Sequence, residues 1–186
     1  MAVTPESRFD HHYSQLIQLF RECFEKQYQT CLVRGGAEPV YLPQSEGRLF
    51  SEIHFAHGFF SSALHECAHW MLAGEQRRRL EDFGYWYQPD GRNAEQQRLF
   101  EAVEVKPQAI EWMLSVAAGY RFRVSVDNLQ GEATDPARFK QAVYQQVRHY
   151  LVQGLPGRAE QFRQALCEYY GTPRKLSLTQ FDVETI

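Results

Sequence analysis

In the stretch SSALHECAHWMLAG, residues 61–74, two histidines stand four apart and a glutamate directly follows the first. On a helix, positions i and i+4 share a face one turn apart. His65 and His69 can therefore aim both imidazoles at one ion lying about 2.0–2.1 Å from each nitrogen. In a chain of this composition, chance writes H-E-x-x-H on the order of 0.02 times. Two nitrogens do not hold a divalent ion firmly, so an acid from another element is needed. In LFEAVEVKPQ (99–108), Glu101 and Glu104 are three apart and share a helix face. Either could supply the carboxylate while the other orients a histidine, with Asp82 and Asp90 in reserve. Two histidines and a carboxylate on one face of an octahedral ion leave positions open, the ligand set of non-haem iron oxygenases. The same residues also form the signature of zinc peptidases, in which Glu66 would be the general base for a zinc-bound water. A binding module with a structural ion is a third reading, and it would require a fourth protein ligand. Ligand types alone do not separate an oxygenase from a peptidase.

The elements that must position these residues are legible in outline. Tyr13, Leu16, Ile17, Phe20, Cys23 and Phe24 recur at helical spacing between Asp10 and about Lys26. TCLVRG, PVYLP and the alternating EIHFAHG read as a small sheet of two to four strands. Gly58 ends that region, and a helix over 59–73 carries the histidine pair and stops at Gly74. Its Leu64, Cys67, Ala68 and Met71 make a core stripe, which leaves the histidines at the edge of the buried face. A further helix runs from about Ala94 to Val105. Pro107 kinks it or starts a new one, which continues to Gly119. RFRVSV (121–126) can add a strand, helices follow over Pro136–Gln153 and Gly157–Tyr170, and the tail after Gly171 reads as loose. The expectation is a helix-rich α+β single domain spanning 1–186, with 1–9 and 174–186 peripheral.

Composition removes several function classes. With 44% hydrophobic residues the chain can bury a core, and a net charge of −3 with pI near 6.2 gives no reason to expect nucleic acid. No apolar run approaches the roughly 18 residues of a membrane span. MAVTPESRFDHHY lacks a secretory h-region. Cys23, Cys31, Cys67 and Cys167 show no C-x-x-C spacing, so free thiols in a reducing, cytoplasmic setting are expected.

Longer strings now add specificity. PVYLP, FAHGFFSSALHECAHW, DFGYWYQPDGR and FEAVEVKPQAIEW, in this order and spacing, resemble the elongation factor P hydroxylases from about residue 11 to 173. That resemblance implies an unusual hydroxylase fold rather than the jelly roll of most 2-oxoglutarate oxygenases, with a two-histidine, one-carboxylate metal site. It implies Fe(II) as cofactor, dioxygen as co-substrate and elongation factor P as protein substrate. The reaction would be hydroxylation of the β-lysyl-modified lysine, the last step of that modification. His65 and His69 match the motif histidines; for the carboxylate the reading selects Glu104, with Glu101 as fallback and otherwise beside the ligands. His57 in FAHGFF can line the site. Tyr85, Trp86 and Tyr87 offer π faces to a cationic side chain, and Asp82 or Asp90 a counter-charge. The electron donor is not legible: a 2-oxoglutarate site would want an Arg or Lys near the metal, and sixteen arginines offer no unique choice.

Overall fold

A computed structural model of the chain describes residues 10–83, 92–125 and 136–186. The first helix begins as α1 (Tyr13–Phe20), widens into a π turn over Arg21–Glu25 and closes as the short α2 (Lys26–Tyr28). The wider turn has a partner in space: Gln161 donates its side-chain N–H to the Cys23 carbonyl at 2.9 Å. Gln29, at φ 46°, then turns the chain into the sheet.

Three strands follow, β1 (Thr30–Arg34), β2 (Val40–Leu42) and β3 (Ser51–Phe55), in the spatial order β1-β3-β2. β3 lies parallel to β1, with Leu32 opposite Ile53, and antiparallel to β2, with Tyr41 opposite Ile53. Its Ser51, Ile53 and Phe55 are buried, while Glu52 and His54 on the other face pair with each other at 2.8 Å. Both edges of β3 are occupied, and the 121–125 segment forms no strand, against the expectation for RFRVSV. A side chain serves its main chain instead: Gln108 donates to the Ser125 carbonyl at 2.6 Å and accepts from the Ser125 N–H at 3.1 Å.

The motif helix α3 (Phe60–Leu72) leaves β3 through two consecutive left-handed residues, His57 at φ 55° and Gly58 at φ 73°. A Cβ at Gly58 would meet Arg34 Nε at 3.0 Å and Tyr13 at 3.3 Å, so glycine serves both the φ and the space. At its far end α3 leaves carbonyls without helical partners, and two guanidiniums take them. Arg158 donates to the carbonyls of Trp70, Met71 and Ala73 at 2.9, 3.0 and 2.6 Å, and Arg78 to Ala73 at 2.6 Å. Cations at this end also complement the helix dipole.

α4 (Ala94–Ala118) packs along α3. Asn93 opens it with a capping box and Gly119, in the left-handed region, ends it. It runs unbroken through Pro107, where separate helices were a possible reading. The carbonyl that loses its bond to proline belongs to Val103, which is partly exposed. α5 (Pro136–Gln153) and α6 (Gly157–Tyr170) complete the helical layer at the bounds expected from periodicity.

One cluster of buried side chains joins α1, the sheet and α3 through α6. Phe20, Phe24, Trp70 and Phe162 interlock in it at ring separations between 4.8 and 5.9 Å. The segment after Gly171 differs from the loose tail expected. Phe181 is buried edge-on against Trp112, 5.3 Å between centroids, and Ile186 is buried as well. Its polar tail sequence hides two apolar anchors, too widely spaced to show a period.

Candidate metal centre

α3 and α4 bring three side chains to one point. The Nε2 atoms of His65 and His69 lie 3.0 Å apart. Glu104 places Oε2 at 3.4 Å from His65 Nε2 and Oε1 at 3.3 Å from His69 Nε2. Together these three form the one group among the described residues whose ligand atoms could share an ion. Only one proton fits between two facing imidazole nitrogens, whereas two lone pairs facing one point suit a cation. Two nitrogens bound at right angles to an ion about 2.1 Å away would stand about 3.0 Å apart. Glu104 Oε2 is buried and has no hydrogen-bond partner, a costly state for a carboxylate oxygen unless a cation sits beside it. The residues therefore fit a divalent metal, and three ligands rather than four suit an open site better than a closed structural one.

A second acid on α4 orients the first histidine. His65 Nδ1 lies 2.8 Å from Glu111 Oε2. A carboxylate only accepts, so Nδ1 donates to it, which leaves Nε2 as the nitrogen that faces the centre and gives up its proton when a metal binds. This carboxylate–histidine arrangement was missed from sequence, although the signal was there: Glu111 stands seven residues after Glu104, two turns along the same face. Gln108, four after Glu104, fills the step between them.

The electrostatics follow from this packing. Burial pulls the His65 pKa down, but the hydrogen bond and charge of Glu111, with Glu104 and Glu66, outweigh it and raise it to about 10. Burial pushes Glu104 up, and the two histidines with Gln108 bring it down to about 2. Burial and neighbouring carboxylates raise Glu111 and Glu66 above the ordinary range despite the histidines.

A cavity of about 520 Å³ opens onto this group, and His57, Phe59, Phe83, Arg92 and Arg123 are in its wall with the three residues above. His57 thus lines the same cavity, exposed and with its ring beside Phe59. Glu66 lines it too, and its carboxylate forms no hydrogen bond among the described residues. Glu101 is not brought to the group; its carboxylate receives an N–H from Gln97 at 3.3 Å. Asp82 pairs with Arg77 at 2.6 Å in the wall of a neighbouring cavity. Tyr85, Trp86, Tyr87 and Asp90 lie outside the described residues. No helix among the described residues is long and apolar enough to cross a membrane.

Comparison with known proteins gives the site its context. A family model described as elongation factor P hydroxylase matches residues 19–181. The chain is 55% identical over 177 residues to an elongation factor P lysine hydroxylase of Haemophilus influenzae, covering 95% of this chain and 99% of that one. These matches do not favour the zinc-peptidase alternative. The helix-rich architecture with a three-stranded sheet is likewise no jelly roll. On this evidence the chain belongs to the elongation factor P hydroxylase family and is an enzyme of oxidoreductase type.

Proposed function

We propose that the chain hydroxylates the β-lysyl-modified lysine of elongation factor P, as the last step of that modification, with Fe(II) held by His65, His69 and Glu104. The observation that carries this is the convergence of two imidazole Nε2 atoms and a partnerless buried carboxylate oxygen at the wall of an open cavity. The relative in Haemophilus influenzae, named as an elongation factor P lysine hydroxylase, supports the substrate. An unactivated C–H bond offers nothing to an acid–base pair, and a two-histidine, one-carboxylate iron supplies the needed redox chemistry with dioxygen when bound.

The chain's own residues do the rest. Glu111 holds the His65 ring in the tautomer that presents Nε2. Gln108 ties the carboxylate-bearing helix to the 121–125 segment in the cavity wall. Phe59 and Phe83, partly exposed at 61% and 49%, put apolar surface in the same wall, where it can shed water around a long side chain. Glu66 supplies a carboxylate for a cationic chain entering the cavity. With a protein substrate of the translation machinery, the working place is the cytoplasm, and neither nucleic acid nor membrane need be contacted.

The test is intact mass of β-lysylated elongation factor P after incubation with protein reconstituted anaerobically with Fe(II) and then exposed to air. A gain of one oxygen atom is expected, lost on chelation of the metal. An unchanged mass, together with casein cleavage that disappears in Glu66→Gln, would replace this reading with a peptidase.

A further inference from the structure

Two cavities border the metal centre, and only the larger has been given a task. The smaller, about 290 Å³, opens beside the C-terminal turn of α3 and has Tyr41, Trp70, Arg77, Arg78, Asp82 and Lys106 in its wall. It shares Glu66 and His69 with the larger cavity. A molecule seated there lies against a proposed metal ligand without occupying the space needed by the lysine side chain.

Its charges are unevenly paired. Arg77 is neutralised by Asp82. Arg78 spends one N–H on the Ala73 carbonyl and sits over the Tyr28 ring, with no carboxylate partner among the described residues. Lys106 is exposed and has no ion-pair partner among them either. Trp70 keeps a buried indole N–H without a hydrogen-bond partner. Two cations without carboxylate partners among the described residues suit a small anion.

The reaction calls for such a molecule. When dioxygen hydroxylates a C–H bond, one oxygen enters the new C–O–H group. The other leaves as water only if two electrons and two protons are supplied. We propose that the smaller cavity binds the two-electron donor, an enediol anion of the reductone class. Its oxidation to the dicarbonyl releases two electrons and one proton, and solvent gives the second proton. In sum, R–H, O₂, the enediol monoanion and H⁺ become R–OH, H₂O and the neutral dicarbonyl. A cavity at the lower end of the ligand-pocket range has no room for a dinucleotide. An oxo-acid donor, which would give its electrons by decarboxylation while bound at the metal, belongs instead in the larger cavity near Arg123.

The need for electrons rests on the hydroxylase reading, but the test needs no turnover. The full chain loaded with redox-inert Zn(II) is titrated anaerobically with ascorbate, followed by heat and tryptophan fluorescence. One saturable equivalent is expected, weakened at least about tenfold in Lys106→Glu and in Arg78→Gln and unchanged in Arg123→Gln. Lys106 is exposed, so its variant remains informative if Arg78→Gln misfolds. Absence of saturable binding at millimolar ascorbate overturns the proposal. So does binding that Arg123→Gln abolishes and Lys106→Glu leaves intact. The hydroxylase reading stands or falls separately, on the oxygen gained by elongation factor P.

Discussion

α3 and α4 meet at the candidate metal centre but bring their groups to it on opposite terms. The histidine side chains of α3 keep 25% and 20% of their surface exposed, whereas Glu104 and Glu111 on α4 keep 4% and 9%. Burying a carboxylate is costly unless it is paired, so the α4 acids are held by the partners that make their burial tolerable. Glu111 has His65, and Glu104 has both rings within 3.4 Å and an Oε2 left over for a cation. Gln108 between them is anchored to Ser125. α3 thus forms the open side, which faces the larger cavity, and α4 the closed side, which sets orientation. An active site can keep its ligands accessible provided the groups that aim them are not.

The comparison breaks most completely at Glu104. Glu104→Ala should abolish metal retention after gel filtration, and Glu101→Ala should lower it little. The reverse order in metal analysis would move the closed side by one turn of α4 and make Glu101 the ligand. Next in size, Glu111→Ala should weaken metal affinity about 10- to 100-fold in chelator competition, with Glu111→Gln intermediate because an amide oxygen still accepts from Nδ1. Equal affinities in all three proteins would reduce Glu111 to packing.

The pH dependence of the metal-free chain sharpens the contrast. Glu104 has a lowered pKa, so its stabilisation is present above 4.5 and disappears as pH falls through about 2. His65 has a raised one, so its share is complete below 6.5 and is lost as pH rises through about 10. Thermal denaturation should therefore show an acid limb from α4 and an alkaline limb from α3, and Glu111→Gln should flatten the second. Metal uptake displaces the His65 proton, so affinity should climb between pH 6.5 and 10. A wild-type melting temperature flat across that interval would remove the His65–Glu111 pairing from the account. The smallest effect belongs to Gln108→Ala, about 1–2 kcal/mol in urea denaturation from the lost clamp on Ser125, with metal affinity nearly kept. A fall in affinity as large as that of Glu111→Ala would mean that the three α4 side chains act as one unit.

Helices were the most legible elements. α5 and α6 fall where the spacing of apolar residues places them, because an amphipathic helix needs only its own period and a surface to lie on. RFRVSV shows the opposite case. Its alternation suits a strand, yet the Ser125 N–H and carbonyl that a ladder would use are taken by the Gln108 side chain. Pro107 removes one hydrogen bond, too small a loss to divide a helix whose next residues, Gln108 through Ser115, are buried against the core. Phe181 and Ile186 were missed because two isolated anchors carry no pattern until Trp112 is in place to receive one of them.

The amino-acid order alone determined that His65 and His69 share one helical face beside an apolar stripe, and narrowed the carboxylate to Glu101 and Glu104, with Asp82 and Asp90 in reserve. It also carried the family likeness through four strings. Only the tertiary structure decided which acid meets the histidines. Residues three apart on a helix differ in direction by some 60°, so Glu101 and Glu104 are separated by the docking of α4 on α3 and by nothing local. That docking put Glu104 and Glu111 against the imidazoles, left Glu101 beside Gln97, and opened a cavity on each side of His69 and Glu66.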